Sequence, residues 1–223
     1  MKILALDTST EYCSVAVLAD GALHAREILA GQRHSTLLLP LVGETLAECG
    51  FELCALDGIA FGSGPGSFTG LRIACSVAQG LAFGAGLPVL GVSTLLALAH
   101  GCGQARVIAC LDARMGEVYH AAYQKHGADW QEIAAPGLYP PQDAPLPQGD
   151  SWFGCGSGFS AHGESLRQRY GAQLAGVTAD SPPRASDIAR LALPFFERGD
   201  GLDAAQAAPL YIRNKVALKT SER

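Results

Sequence analysis

Polar and apolar positions divide the first half of the chain into a regular series. Lys2 to Leu6 is a short apolar run that ends at Asp7, and the following "DTST" carries turn residues. Cys13 to Leu18 is a second apolar run, "ADG" marks a hairpin, and Ala22 to Leu29 alternates weakly, so two further strands are predicted. The period then changes. Between Leu37 and Cys49 apolar residues recur at helical spacing and stop at Gly50, a C-cap residue. Gly58 to Phe61 reads as a strand, and a glycine-rich stretch leads into a helix reaching about Phe83. Pro88 to Val92 reads as another strand, and Ser93 N-caps a helix to His100. The order is β-β-β-α-β-α-β-α.

The pattern then restarts. "VIACLDARMGEVYHAAY" (107–123) parallels "ILALDTSTEYCSVAVL" (3–18): an apolar strand ending in Leu-Asp, a tight polar turn, and a second apolar strand. "IAAPGLYP", a proline-rich loop from Pro140 to Pro147 and the strand-like "WFGCGSG" follow, then helices from Phe159 to Tyr170 and from Ser186 to Arg198. The chain is therefore expected to be α/β, with two related domains: 1–103, and 104–223 as a looser copy with a C-terminal helix and tail. A strand that ends in Asp and turns back places a carboxylate beside free turn amides. In a duplicated fold two such turns face each other across a cleft, where a nucleotide–metal complex could sit. Equally, Asp7 and Asp112 could be turn residues bonded to their own backbone.

Composition narrows the classes. Nearly half of the 223 residues are apolar, enough for a real core, and the net charge of −5 argues against unaided binding of nucleic acid. The seven cysteines include no C-x-x-C pair; Cys13, Cys75 and Cys110 lie in apolar runs and read as core residues of a reduced, cytoplasmic protein. No zinc-type cluster of Cys and His is present. Asp7 interrupts the N-terminal apolar run too early for a secretory signal. Ile73 to Ala99 contains no charge, but Gln79, Gly84, Gly86, Pro88 and Gly91 punctuate it, so a buried helix–strand–helix is expected rather than a membrane span.

"GSGPGSFTGLR" has features of a phosphate loop: it leads into a helix N-terminus, and Ser67 and Thr69 carry hydroxyls. It lacks the lysine of the P-loop, and its glycine spacing does not match G-x-G-x-x-G. The helix behind it is more telling. Ser76, Gly80 and Gly84 recur every four residues, as do Ala74, Ala78 and Ala82. Gly inside a helix costs about 1 kcal/mol relative to Ala. Rows of small side chains admit close approach of another helix, which can offset that cost. The preceding helix is apolar on two faces: Leu37 and Leu41 on one, Leu38, Val42 and Leu46 on another. One face can bury in its own domain; the other is expected to be covered by the second domain or by a partner.

"LALDTST", "GSGPGSFTGLRIACSVAQGLAFGAGLPVLGVSTL", "LDARMGEVYHAAY" and "PLYIRNKVA" together, in this order over nearly the whole chain, resemble the TsaB (YeaZ) family. The resemblance implies a duplicated ribonuclease-H-like, actin-like ATPase fold. It implies a non-catalytic paralogue of TsaD that acts in making threonylcarbamoyladenosine beside the tRNA anticodon by forming a heterodimer with TsaD. TsaE, an ATPase, would join that complex, TsaC would supply the intermediate, and tRNA would be met through the complex. The expected interface is His34, Leu37, Leu38, Leu41 and Val42 on the first helix with Phe68, Arg72, Ser76, Gly80 and Gly84 on the second. A weak homodimer through the same helices is expected of the chain alone. No cofactor is expected of the isolated chain, with ATP or ADP reserved for the assembled complex. Candidate contacts to a nucleotide are Asp7, Thr8, Asp112, Gly154 and Gly156, the last two lying where actin-like relatives meet adenosine. TsaD-type proteins carry a histidine pair four residues apart, suited to a metal. Here those positions hold Thr94 and Leu98, and His100 is out of register, so neither metal nor catalytic residues are expected. The competing readings are a glycoprotease-like metallopeptidase and an actin-like phosphotransferase using Asp7 and Asp112. The mildly basic tail from Tyr211 onward is a further candidate for RNA contact.

Overall fold

A computed structural model describes residues 1–212; the tail reading, from 213 on, lies outside the described residues. β1 (Lys2–Asp7) and β2 (Tyr12–Ala19) are buried along almost their whole length, which is why they read as continuous apolar runs. The turn between β2 and β3 (Ala22–Leu29) places Asp20 and Gly21 at φ 49° and 87°, the left-handed pair that a tight hairpin demands. α1 (His34–Cys49) starts one turn earlier than the periodicity predicts and stops at Gly50, whose φ is 68°. β4 (Gly58–Gly64), α2 (Phe68–Ala85), β5 (Val89–Ser93) and α3 (Thr94–Gly101) follow as expected. Ser67 and Ser93 cap α2 and α3, accepting from the Gly70 and Leu96 amides.

The second half repeats this with β6 (Arg106–Arg114), β7 (Glu117–His126), β8 (Asp129–Tyr139), β9 (Trp152–Cys155) and β10 (Leu174–Thr178). The sheets run β3-β2-β1-β4-β5 and β8-β7-β6-β9-β10. In each, the first strand pairs antiparallel with the second and parallel with the fourth. The duplication legible in the Leu-Asp turns is thus a duplication of the whole topology.

β8 and β10 carry no sequence signal of their own. Both are edge strands, exposed or half-exposed along their length, and Pro136 and Gly137 interrupt β8. The helix predicted from Phe159 to Tyr170 is two: α4 (Ser157–Ala161) and α5 (Gly163–Tyr170), broken at His162.

α6 (Ala185–Arg198) returns to the first sheet, where Ile188, Ala189, Ala192 and Phe196 share a cluster with Ile3, Ala5 and Ala60. It starts one residue before the expected Ser186, and its first amide, Ala185, donates to Ser14 Oγ of β2 at 2.9 Å. α1 and α2 cover the opposite face. α3 lies between the sheets: Ala97 joins the α6 side of the first, while Leu95, Leu98 and Ala99 join Val107, Ala109 and Leu111 of the second. No helix of the described residues is long and apolar enough to cross a membrane.

Asp7 and His120 are both sealed in these cores. Burial pushes the Asp7 carboxyl up to about 7, against the pull of two hydrogen bonds from Ser9. Burial pushes His120, flanked by Tyr139 and Tyr170, down to about 4.

The glycines give a paired test. A Cβ on Gly70 would sit 1.8 Å from the Thr8 carbonyl oxygen, whereas one on Gly80 meets nothing within 4 Å. Gly70→Ala should lower stability by about 1–3 kcal/mol. Gly80→Ala should raise it by about 0.5–1 kcal/mol, both read by urea unfolding. The buried groups give a second. Between its ordinary 3.8 and about 7, Asp7 keeps its proton folded and loses it unfolded, so stability falls as pH rises. Between about 4 and its ordinary 6.5, His120 is neutral folded and charged unfolded, so stability rises as pH rises. The two slopes oppose each other across most of one window. Asp7→Asn should leave a stability that climbs with pH, and His120→Phe one that falls, each by at most about 4 kcal/mol. Thermal melts from pH 4 to 8 check the signs.

Candidate functional site

The turns after β1 and β6 face each other across an open cleft of about 1230 Å³. Ser9, Thr10, Ser67 and Thr69 line one wall; Asp112, Arg114, Ser157 and Ser160 line the other. The walls are related by the duplication, yet their aspartates differ. Asp7 is 1% exposed and turns inward. Its Oδ1 accepts from the Ser9 amide at 3.0 Å and the Ser9 hydroxyl at 2.9 Å, while Oδ2 has no partner and fills the space a side chain would take at Gly62. Thr8 is also buried and donates to the Gly70 carbonyl at 2.7 Å. Asp112 stays at the cleft, taking the Arg114 amide at 2.9 Å and the Arg114 guanidinium at 3.1 Å, with His162 Nε2 at 3.6 Å.

This geometry explains the glycine loop. Added Cβ atoms at Gly62, Gly66 and Gly70 would strike Asp7 Oδ2, the Ser9 carbonyl and the Thr8 carbonyl at 1.9, 2.5 and 1.8 Å. The glycines let the loop lie directly on the β1–β2 turn, and the Ser67 amide donates to the Ser9 carbonyl at 2.7 Å. Gly154 and Gly156 likewise make room for protein. A Cβ on Gly154 would meet the Phe159 ring at 2.5 Å, and one on Gly156 the Cys110 carbonyl at 2.4 Å. A magnesium–nucleotide complex bridged by twin aspartates does not fit these residues, because Asp7 points away from the cleft with a carboxyl that burial keeps protonated toward neutral pH. Asp112, Arg114 and the hydroxyls are what the cleft offers a ligand.

The histidine-pair positions are interior. Thr94 is fully buried and donates to the Pro65 carbonyl; Leu98 is fully buried in the core that α3 shares with the second sheet. His100 pairs with Asp187 of α6 at 2.8 Å. Among the described residues no three His, Cys, Asp or Glu side chains gather where they could hold a metal ion.

The helical face divides differently from the sequence expectation. His34, Leu38, Leu41 and Val42 turn into the core, and Leu37 is half-buried, because both apolar stripes of α1 are absorbed by β2 and α2. His34 Nε2 lies 3.2 Å from the Tyr12 carbonyl. What α1 leaves outside is Leu39, 51% exposed, with Pro40 and Gly43. On α2 the two small-residue rows separate: Ala74, Ala78 and Ala82 are fully buried, while Ser76, Gly80 and Gly84 are exposed. Nothing among the described residues lies within 4 Å of a Cβ placed on Gly80 or Gly84, so the described part of the second half does not cover them. Phe83 beside them is 80% exposed, a residue the sequence reasoning passed over although it sits in a helix segment without charge. Phe68 and Arg72 begin this face, and Tyr211 joins them. The Arg72 guanidinium lies 3.7 Å over the Phe68 ring and donates to the Tyr211 hydroxyl at 2.8 Å, and Leu210 donates to the Ser63 carbonyl at 2.7 Å.

Comparison with known proteins places this arrangement. Residues 27–151 match the family model described as "TsaD: tRNA N6-adenosine threonylcarbamoyltransferase". The tRNA threonylcarbamoyladenosine biosynthesis protein TsaB of Escherichia coli strain K12 is 39% identical over 98% of this chain and 97% of that protein. The Haemophilus influenzae protein of the same name is 37% identical over 98% and 96%. The structure described as YeaZ from Pseudomonas aeruginosa superposes with a TM-score of 0.87 at 41% identity, covering 94% of this chain and 99% of that one. A further crystal structure, of an uncharacterized protein with similarity to peptidase YEAZ from Pseudomonas aeruginosa, gives 0.88 at 41% identity over 95% and 99%. The fold is thus the duplicated actin-like one, and with near-complete coverage on both sides the chain belongs to the TsaB (YeaZ) family.

Proposed function

We propose that this chain is a non-catalytic subunit in the threonylcarbamoylation of the tRNA adenosine beside the anticodon, acting by forming a heterodimer with a TsaD-type protein. The observation that carries the reading is the open row Ser76, Gly80 and Gly84 with Phe83. Each helical glycine costs about 1 kcal/mol, and no contact among the described residues returns it. A helix of a partner laid along that row would gain backbone-close packing, with the exposed Phe83 and Leu39 as apolar anchors. The face is nearly free of charge, since α2 carries none beyond Arg72. Such a surface suits a partner of the same architecture, with helices in the same places. Thr94 and Leu98, where TsaD-type proteins carry their histidine pair, support a role without metal chemistry. A TsaE-type ATPase, a TsaC-type supplier of the intermediate and the tRNA itself complete the assembly in this reading. Alone and concentrated, the chain pairs weakly with its own copy through the same face.

Mixing the purified chain with the TsaD-type protein of the same organism should give one complex on a sizing column. Gly80→Trp should weaken that complex at least tenfold by titration calorimetry, while its thermal melt stays close to that of the parent. Arg190→Ala, on the exposed side of α6, should leave affinity unchanged. Reconstituted tRNA modification should require this chain and fall in step with the affinity of the Gly80 variant. Separate peaks at every salt concentration, or modification that proceeds at full rate without the chain, would refute the proposal.

A further inference from the structure

The chain that leaves α6 runs along α2 as a strap, pinned at successive points. Leu202 exchanges two backbone hydrogen bonds with Val89 of β5, each 2.8 Å. The Gln79 side chain of α2 donates to the Ala204 carbonyl at 3.0 Å, and Ala204 is buried in the core beneath. The Leu210 amide holds the Ser63 carbonyl at the end of β4, and a Cβ on Gly64 would meet the Leu210 carbonyl oxygen at 2.6 Å. Tyr211 then reaches the first turn of α2, 139 residues away in sequence. Its hydroxyl takes the Arg72 Nε–H at 2.8 Å, and its ring lies 5.4 Å from that of Phe68, over which the guanidinium is stacked. The cation is fixed in place, yet it is not neutralised. Arg26, Arg114, Arg184 and Arg198 each pair with a carboxylate of this chain; among the described residues Arg72 pairs with none. The strap's own carboxylate, Asp203, is taken by the Ala205 amide at 2.8 Å. Arg72 also heads the row that Ser76, Gly80 and Gly84 continue at steps of four residues.

We propose that the strap completes the partner-binding face: Tyr211 is a positioning residue that holds Arg72 ready for an aspartate or glutamate side chain of the TsaD-type partner. This rests on the heterodimer reading above and adds to it the charge that the partner must bring. An exposed arginine loses side-chain freedom when it is gripped in one geometry. Here a ring and a hydroxyl of the same chain have already fixed the guanidinium, so less freedom is lost on docking. With Nε–H taken by Tyr211, the two terminal nitrogens face outward chemistry, and their parallel N–H groups match the two oxygens of a carboxylate. The aromatic rings on either side shield such a pair from water, and arginine flanked by aromatic residues is the composition of an interface centre. Protein fits the site better than RNA. A phosphate backbone is gripped by several cations, whereas α2 and the strap from Leu202 to Tyr211 together carry this one.

The test is titration calorimetry of the full chain against the purified TsaD-type protein at low and high salt. Arg72→Ala should weaken binding roughly tenfold, and Tyr211→Phe, which keeps the ring and removes the hydroxyl, roughly threefold. The double variant should bind no more weakly than Arg72→Ala alone, because the hydroxyl acts only through the guanidinium. Affinity should depend less on salt in both variants that lack the cation. Arg198→Ala, which removes an exposed cation from α6, should change affinity by less than about twofold. Thermal melts of all these variants should stay close to that of the parent, since Arg72 and Tyr211 are exposed. In Arg72→Lys, a zero-length carbodiimide crosslink should join position 72 to an aspartate or glutamate of the partner, read by mass spectrometry. Additive losses in the double variant, or full affinity in Arg72→Ala while Gly80→Trp still breaks the complex, would overturn this proposal and leave the heterodimer standing. Intact pairing in Arg72→Ala with weakened tRNA binding by the assembled complex would assign the cation to RNA and overturn it too. No complex with the unaltered chain would overturn both readings.

Discussion

The architecture rests on the burial of α3 between two sheets. Its sequence, "TLLALAHG", is apolar on nearly every side, and such a helix is stable only when protein covers it all round. Leu95, Leu98 and Ala99 face the second sheet and Ala97 faces the first, so the helix is core to both halves at once. α6 completes the enclosure from the far end of the chain, with His100 and Asp187 paired across the seam. That one packing arrangement sets the two Leu-Asp turns opposite each other and leaves a cleft between them. It also consumes the positions where TsaD-type relatives keep their histidines: a leucine there is worth more to the interior than any donor atom, because a buried polar group without a partner is costly.

The two copies of the fold have diverged around their turns. In the first, Asp7 has withdrawn into the protein, and three glycines let the loop before α2 press against it. In the second, Asp112 remains at the surface, held by Arg114 and close to His162. A duplicated frame that keeps only one of its two aspartates in the cleft has lost the symmetric clamp a metal-bound nucleotide needs. The outer surface of the first copy has moved in the other direction. α2 buries its alanine row against its own sheet and turns its serine and glycine row outward, so a single helix serves the core with one stripe and an open face with the other.

The strands and helices of the first half were legible because each is either a continuous apolar run in a central strand or a helical period stopped by glycine. β8 and β10 were not, because an edge strand needs no apolar face and leaves no period to read. The break at His162 was hidden too, since α4 and α5 share one apolar spacing across it. Of the candidate site residues, Ser76, Gly80 and Gly84 lie on the open surface, whereas His34, Leu38, Leu41 and Val42 do not. Helical spacing identifies both apolar stripes of α1 but carries nothing about how far β2 and α2 wrap around it.

The order of elements in the first half, the internal duplication, the family and the loss of the histidine pair were all determined by the sequence itself, because each is written in local periodicity or in the identity of single residues. Which stripe of a helix is covered and which of two equivalent aspartates faces the cleft were decided only in the tertiary structure. Those are relations between segments far apart in the chain, and they depend on how closely backbones approach once every face competes for the same interior.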